Sequence, residues 1–199
     1  MRDDDHFASR FPTLAQPQCW GNVTMTPFSP NPALPPISRV QSVNVVPFVG
    51  ARDRCVVIGL EDGSMTLPGG TIEPGESFDA AARRELLEEA GAEIHSLFPM
   101  GTWACHSEDA SPWRAHLPHP DFLRLVFWGN VTIVGSPLNP ADGEQITSVE
   151  VIPVEDAVER LQRVGRGDLA DLYRLAHELR RGGAKAIDPV LIDGHPVGE

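Results

Sequence analysis

The sequence contains few of the residues that mark exported, membrane-spanning or nucleic-acid-binding proteins. Its three cysteines are widely spaced and too few for a disulfide framework, so reduced thiols in the cytoplasm are expected. The longest apolar stretch, Val56–Leu60, covers five positions, whereas a membrane-spanning helix needs about 20. The chain begins Met-Arg-Asp-Asp-Asp rather than with a basic and then an apolar stretch, so no export signal is expected.

Positive charge is also scarce. Lysine and arginine total 16 against 28 aspartates and glutamates, which gives a formal net charge of −12. A surface this acidic repels polyphosphate backbones, so neither nucleic acid nor an anionic membrane is an expected partner. A small anionic substrate stays compatible with this charge if a divalent cation bridges it to the protein.

Prolines concentrate near the N-terminus and predict an arm over residues 1–39. Seven of the 19 prolines lie in the first 40 residues, and proline disfavours both a long helix and a central strand. The arm nevertheless carries scattered large apolar side chains: Phe7, Phe11, Trp20, Met25 and Phe28. We expect these side chains to hold it on the folded body or on a second copy in a homodimer. A partly disordered tail is the alternative.

Residues 40–182 have the pattern of one folded domain, and residues 183–199 that of a loosely held tail. Runs rich in β-branched residues predict strands over Ser42–Val49, Arg54–Leu60, Ser64–Leu67, Glu93–His106, Phe122–Val134 and Val149–Val154. The first two of these are predicted to form a hairpin. One helix is predicted after Pro153, and a second from an N-cap at Asp168 to Gly182. Strands and helices do not strictly alternate, which favours an α+β sandwich over a doubly wound sheet.

The segment 67–92 combines a loop and a helix. Its glycines and prolines between residues 69 and 75 exclude regular structure, so a tight loop precedes the helix. Ser77 is a favourable N-cap, and Gly91 is a typical residue just beyond a helix C-terminus. The helix is therefore predicted over Phe78–Ala90.

Three carboxylates share one face of this predicted helix. Glu85, Glu88 and Glu89 stand at i, i+3 and i+4, where like charges repel and oppose the helix dipole. Mg²⁺ or Mn²⁺ would offset that repulsion, because hard cations take oxygen ligands. The neighbouring Arg84 can orient one of the acids by a forked hydrogen bond. A solvated acidic face with no function is the alternative.

The segment resembles the Nudix box, Gly-x5-Glu-x7-Arg-Glu-U-x-Glu-Glu-x-Gly-U, in which U is a bulky aliphatic residue. The matching residues are Gly70, Glu76, Arg84, Glu85, Leu86, Glu88, Glu89 and Gly91. The last position differs, because Ala92 stands where an aliphatic residue is usual. This change affects a packing contact and no ligand.

The resemblance implies an α/β/α sandwich around a mixed central sheet, the Nudix fold, over residues 39–163. It also implies a hydrolase that cleaves the pyrophosphate linkage of a nucleoside diphosphate joined to another group, with Mg²⁺ or Mn²⁺ as cofactor. Candidate substrates are ADP-ribose, other nucleotide sugars, nucleoside triphosphates and dinucleoside polyphosphates. By position, Glu85 and Glu89 correspond to the principal metal ligands and Glu88 to a third. Arg84 corresponds to their orienting partner, and Glu76 to a structural acid.

The general base lies outside the box in relatives that resemble ADP-ribose pyrophosphatases, where it is a loop glutamate. Glu144, just before a predicted strand, is the leading candidate by this resemblance. Glu108 and Glu150 are its rivals. A solvated surface charge is the alternative for each of them.

The loop over residues 107–121 is a candidate for substrate contacts. Trp113 could stack on a base and Arg114 could meet a phosphate, although a loop tryptophan is also a common packing anchor. Four residues of zinc-binding type lie in or near this loop without a recognised ligand spacing: Cys105, His106, His116 and His119.

Two other functions are compatible with the resemblance. Some Nudix-like domains sense a nucleotide or bind a partner without catalysis, and these usually have damaged box acids, whereas all the acids are present here. A Nudix-fold isomerase of prenyl diphosphates needs a reactive cysteine, and neither Cys55 nor Cys105 has a context typical of that role.

Overall fold

The computed structural model describes residues 2–50, 53–141 and 143–182, so the predicted tail at 183–199 lies outside the described residues. The helices are α1 (Arg2–Arg10), α2 (Phe78–Ala90), α3 (Val154–Arg163) and α4 (Gly167–Arg181). The strands are β1 (Gln18–Trp20), β2 (Val23–Met25), β3 (Ser29–Pro30), β4 (Val40–Val49), β5 (Arg54–Leu60), β6 (Met65–Thr66), β7 (Gly69–Thr71), β8 (Ala92–Ser107), β9 (Asp121–Ile133) and β10 (Ile146–Pro153). No helix in these ranges is long and apolar enough to cross a membrane.

The strands form one mixed sheet in the order β1-β2-β8-β9-β4-β5-β10. The short strands β3, β6 and β7 pair with β8, β5 and β4, respectively. β4 and β9 run parallel, whereas the other pairs are antiparallel. The β-branched and aromatic residues that fill β4, β5 and β9 suit a sheet that is covered on both faces.

Helices cover both faces of this sheet. Because side chains alternate along a strand, Val43 and Val45 of β4 pack with α2, whereas Val46 and Phe48 pack with α3 and α4. Each face therefore has its own apolar core, with α2 on one side and α1, α3 and α4 on the other. This arrangement confirms the predicted α+β sandwich with a mixed central sheet.

The predicted hairpin between β4 and β5 is only marginally formed. The two strands share a single pair, Phe48 with Cys55, and β5 pairs along most of its length with β10. The first half of β4 pairs instead with β7, the strand that contains Gly69 and Gly70. The glycine loop is thus held against the centre of the sheet, which strand propensities alone do not reveal.

The predicted N-cap of the last helix was wrong. α4 begins at Gly167 with Arg166 at the N-cap position, and Asp168 lies inside the first turn. There the Asp168 carboxylate accepts two hydrogen bonds from Arg166, at 3.0 and 2.9 Å. An acid in the first turn also interacts favourably with the helix dipole, so Asp168 stabilises this terminus without capping it.

The N-terminal arm folds onto the body. Its helix α1 ends before the first proline, Pro12, and its short strands β1, β2 and β3 extend the sheet at the edge next to β8. The side chains of Phe11, Leu14, Met25 and Phe28 are buried in the same core as α3 and α4. The arm therefore contributes apolar side chains to one of the two cores.

Candidate active site

The loop and helix of segment 67–92 form as their local chemistry predicts. The Ser77 hydroxyl accepts a hydrogen bond from the Ala80 N–H at 3.2 Å, which caps α2 at its N-terminus. Gly91 ends the helix in the left-handed conformation, with φ of 57°. The predicted bounds, Phe78–Ala90, are confirmed.

Arg84 is the centre of a hydrogen-bond network that joins the helix to the loop. Its guanidinium donates to both carboxylate oxygens of Glu76, at 2.7 and 3.0 Å, which is the forked geometry of a strong ion pair. It also donates to the Thr71 carbonyl at 2.9 Å, to Glu85 at 2.6 Å and to Glu88 at 3.2 Å. One cation therefore fixes the direction of three acids.

Glu89 is buried beneath the glycine loop. Its Oε2 accepts a hydrogen bond from the Gly69 N–H at 2.9 Å, and its side chain has little contact with solvent. Burial raises the pKa of Glu89 from 4.5 to about 8, and the charges of Glu85, Glu144 and Glu88 add to the rise. The Gly69 hydrogen bond opposes this shift without cancelling it. Metal-free Glu89 is therefore largely protonated at neutral pH.

The two acids that bond to Arg84 most closely differ in their electrostatics. Burial raises the pKa of Glu85, although the Arg84 guanidinium opposes the rise. Burial acts in the same direction on Glu76, but the hydrogen bonds from Arg84 and from the Glu73 N–H outweigh it and lower the pKa of Glu76. Glu76 is thus a stable anion that anchors Arg84. The positive charge near Glu85 and Glu89 is too small to offset the effect of burial on these two carboxylates.

The carboxylates of α2 fit a divalent cation in their chemistry. Among the described residues, one oxygen on each of Glu85, Glu88 and Glu89 accepts no hydrogen bond. Gly70 leaves room for Glu85, because a Cβ at Gly70 would lie 2.3 Å from Glu85 Oε1. Within residues 2–50, 53–141 and 143–182, no three acidic, histidine or cysteine side chains are already arranged around a metal position. The three carboxylates would therefore have to converge further, through their free oxygens, to share one cation.

The loop that carries Glu144 is tied to the C-terminal end of α2. The N–H groups of Leu138 and Asn139 donate to the Glu88 carbonyl, at 2.9 and 3.3 Å. The Asn139 side chain then closes the loop by two hydrogen bonds to the backbone of Ile146, both at 2.9 Å. Glu144 is exposed in this loop, and its charge acts on Glu89. The structure thus brings the leading base candidate near the acids of the box.

The two rival bases lie in other surroundings. Glu150, on β10, forms a salt bridge with Arg160 of α3 at 2.9 Å. This pair lines a cavity of about 300 Å³ between β5 and β10, and none of the box acids lines that cavity. Glu108 follows β8 at the sheet edge, where its N–H donates to the Asn22 carbonyl of the arm.

The loop over residues 107–121 packs against the loop of the box. Arg114 forms a salt bridge with Glu73, and its guanidinium stacks on the Trp113 ring at 4.4 Å from the ring centre. His116 Nε2 lies 3.0 Å from the Ile72 carbonyl oxygen. Trp113 is 65% exposed, so its ring is accessible on the side of the molecule that carries the box.

The residues of zinc-binding type do not come together. His106 pairs with Asp121 at 2.8 Å, whereas His116 faces the Ile72 carbonyl. Cys105 is buried in a core, where burial raises the pKa of its thiol to about 11. The described part of the chain therefore offers no zinc site at this place.

Comparison with known proteins assigns the family. Residues 38–174 match the family model of the NUDIX domain. The chain therefore belongs to the Nudix family, a class of hydrolases that act on acid anhydrides. No curated protein sequence matches the chain.

Two solved structures are similar to this chain. A NUDIX hydrolase from Nitrosomonas europaea is 22% identical, with a TM-score of 0.50 over 78% of this chain and 99% of that chain. A mutant form of the pyrophosphohydrolase BsRppH from Bacillus subtilis is 20% identical, with a TM-score of 0.48 over 65% of this chain and 72% of that chain. At these identities the likeness shows the fold alone. The similarity to the Nitrosomonas europaea structure agrees with the mixed sheet described above.

Proposed function

We propose that the protein hydrolyses the pyrophosphate linkage of a nucleoside diphosphate joined to another group, in a reaction that depends on Mg²⁺ or Mn²⁺. The observation that carries this proposal is the set of Glu85, Glu88 and Glu89 on α2, two of which, Glu85 and Glu89, lie against the glycines of the loop. Two of these carboxylates are buried with insufficient positive charge around them, and a divalent cation would supply it. The substrate is a small molecule, either a nucleotide sugar such as ADP-ribose or a nucleoside triphosphate.

The side chains of α2 have distinct roles in this proposal. Glu85, Glu88 and Glu89 would hold the cation, which when bound neutralises the diphosphate oxygens and acidifies a water molecule. Arg84, anchored by Glu76, holds Glu85 and Glu88 on the same side of the helix before the cation arrives. The Gly69 N–H fixes the direction of Glu89. Trp113 and Arg114 are the proposed contacts for the base and phosphates of the substrate.

Glu144 is the proposed general base. Its loop is bonded to the carbonyl of Glu88, so the base would keep a fixed position relative to the metal ligands. An exposed carboxylate at this place can take a proton from the attacking water. We expect Glu144→Gln to lower kcat by about 10²–10⁴-fold and to remove the acidic limb of the pH–rate profile.

The control for this variant is Glu150→Gln, which removes a rival carboxylate from β10. It should retain the acidic limb of the profile. If Glu144→Gln retained the limb and Glu150→Gln lost it, the roles of the two residues would be reversed.

A product assay tests the function as a whole. Nucleoside triphosphates, nucleotide sugars, dinucleotides and coenzyme A are incubated with Mg²⁺ or Mn²⁺, and the products are separated by chromatography. Hydrolysis of at least one of them, abolished by a chelator, is the expected result. Saturable nucleotide binding without any product would instead indicate a nucleotide-sensing module.

The forked hydrogen bond of Arg84 gives a further prediction. Arg84→Lys keeps the charge but loses the fork to Glu76, because an ammonium group cannot bond to both oxygens in the same plane. Since residues that orient metal ligands usually contribute 10–100-fold, we expect Mn²⁺ affinity to fall by about that factor. Calorimetric titration measures it. Arg83→Lys, one position away and paired with Asp79, is the control and should leave the affinity unchanged.

A further inference from the structure

A second, smaller cavity of about 40 Å³ lies on the opposite face of the sheet from α2, beside Thr66 and Leu67, which precede the strand that holds Gly69. Its polar lining comes from the arm, the sheet and the start of α4: Gln18, Asn44, Thr66, Trp103, Arg124, Arg166 and Asp168. The volume is far below the roughly 300–1,000 Å³ of pockets that enclose a whole ligand. A cavity of this size takes one small polar group of a larger molecule.

The cavity lining has two arginines, Arg124 and Arg166, and one carboxylate, Asp168, so one positive charge is in excess. Arg166 is bonded to Asp168 through both nitrogens of its fork and also donates to the Met65 carbonyl at 3.1 Å, so its charge is compensated. Arg124 has no carboxylate within ion-pair distance in the described part of the chain. Among the described residues, its side chain donates one long hydrogen bond, to Asn44 Oδ1 at 3.4 Å, and its guanidinium lies over the Trp20 ring.

A second donor in the cavity wall also lacks a partner. Trp103 is 5% exposed, and its buried indole N–H has no acceptor among the described residues. A buried donor without an acceptor lowers the stability of the folded state by about 1–3 kcal/mol, so such donors are rare in folded proteins. Arg124 and Trp103 both donate and neither can accept, which means that a complementary group must supply acceptor oxygens and negative charge.

The cavity is adjacent to the acids of the box. Glu89 bonds to the N–H of Gly69, and Gly69 lies directly against the Asn44 amide, because a Cβ there would come within 2.3 Å of Asn44 Nδ2. Asn44 in turn accepts the hydrogen bond of Arg124. The charge of Glu144 acts on both Glu89 and Arg124, so the box acids and the cavity are neighbours.

We propose that the cavity at Arg124 binds an anionic oxygen group, a carboxylate or a phosphate, on the part of the substrate beyond the bond that is cleaved. This inference rests on the proposed hydrolase function and makes it more specific. Gln18 of the lining and Trp20 beneath the Arg124 guanidinium belong to the arm, so residues outside the family match help to form this site.

Matched pairs of substrates test the proposal. UDP-glucuronate and UDP-glucose differ by a carboxylate, and ATP and ADP differ by a terminal phosphate. In at least one pair, the wild-type enzyme with Mg²⁺ should favour the member with the additional anionic group, UDP-glucuronate or ATP, by tenfold or more in kcat/KM. A preference within the first pair indicates that the cavity binds a carboxylate, and a preference within the second indicates that it binds a phosphate. Equal kcat/KM within both pairs would overturn the proposal.

Three variants locate the preference. Arg124→Gln should bring the favoured ratio close to one, whereas Arg124→Lys, which keeps the charge, should retain part of it. Arg163→Gln removes an exposed arginine that pairs with Glu159 on α3 and should leave the ratio unchanged. A ratio that persisted in a folded Arg124→Gln protein would contradict the assignment. If that variant does not fold, partial or full retention of the ratio in Arg124→Lys supports a charge-based role, and its complete loss counts against it.

A binding measurement separates this proposal from the proposed function. If none of the four nucleotides is hydrolysed with Mg²⁺ or Mn²⁺, the hydrolase function fails for these substrates. Calorimetric titration with the same nucleotides and Ca²⁺ then tests the cavity alone. An affinity at least tenfold higher for UDP-glucuronate than for UDP-glucose, or for ATP than for ADP, supports the anion site. Equal affinities within both pairs contradict it.

Discussion

Replacing Glu89 with Gln is expected to lower kcat by more than about 100-fold while the fold stays intact. Residues that merely orient a metal ligand usually contribute 10–100-fold, and Glu89 is itself a proposed ligand. The Gln side chain has nearly the same shape and can still accept the Gly69 hydrogen bond through its amide oxygen, so the loop keeps its position. Steady-state kinetics with Mg²⁺, alongside circular dichroism, measures the effect.

The control for this experiment is Glu159→Gln. Glu159 is an exposed acid on α3 that pairs with Arg163, so its replacement makes the same chemical change away from the box. Such exposed pairs contribute little to stability, and this variant should keep the kcat of the wild type. Activity of Glu89→Gln close to that of the wild type would refute the role of this carboxylate.

The metal-free protein is expected to lose stability as the pH rises from about 4.5 to 8. The unfolded chain releases the Glu89 proton near pH 4.5, whereas the folded protein retains it until about pH 8. Between these values the native state binds more protons than the unfolded state, so the free energy of unfolding falls as the pH increases. The raised pKa of Glu85 acts in the same direction.

The expected change is up to about 3 kcal/mol between pH 6 and 8, since one pH unit corresponds to about 1.4 kcal/mol per proton. Urea unfolding in the presence of a chelator measures it. Because histidines also titrate in this range, Glu89→Gln gives the baseline, and its free energy of unfolding should approach and then exceed that of the wild type as the pH rises. Mg²⁺ should stabilise the wild type at pH 8 more than the variant. Parallel pH profiles for the two proteins would contradict the prediction.

Local chemistry was sufficient to predict α2 and the acids on it. Ser77 and Gly91 mark the two ends of the helix independently of its surroundings, because a cap and a left-handed glycine act on the nearest backbone groups. The spacing of Glu85, Glu88 and Glu89 fixes their common face in the same way. The role of Arg84 as an orienting cation also follows from sequence, although its fork with Glu76 needs the loop to fold back.

The sequence pattern did not predict the contacts between distant parts of the chain. The insertion of β7 beside β4, which displaces the predicted hairpin, depends on tertiary pairing of a glycine-rich segment with no strand propensity of its own. Arg124 and Trp103 look like ordinary strand residues in the sequence. Only the fold reveals that both line one cavity and that Asn44 links this cavity to the glycine loop.

The small strands of the arm cover the outer side of β8. β2 and β3 occupy the outer side of β8, a long strand whose hydrogen-bonding groups would otherwise be free to pair with a neighbouring chain. A fragment trimmed to the residues that match the family model would lose this cover together with Phe11 and Leu14 of the core. We therefore expect such a shortened protein to aggregate, although it would keep the acids of the box.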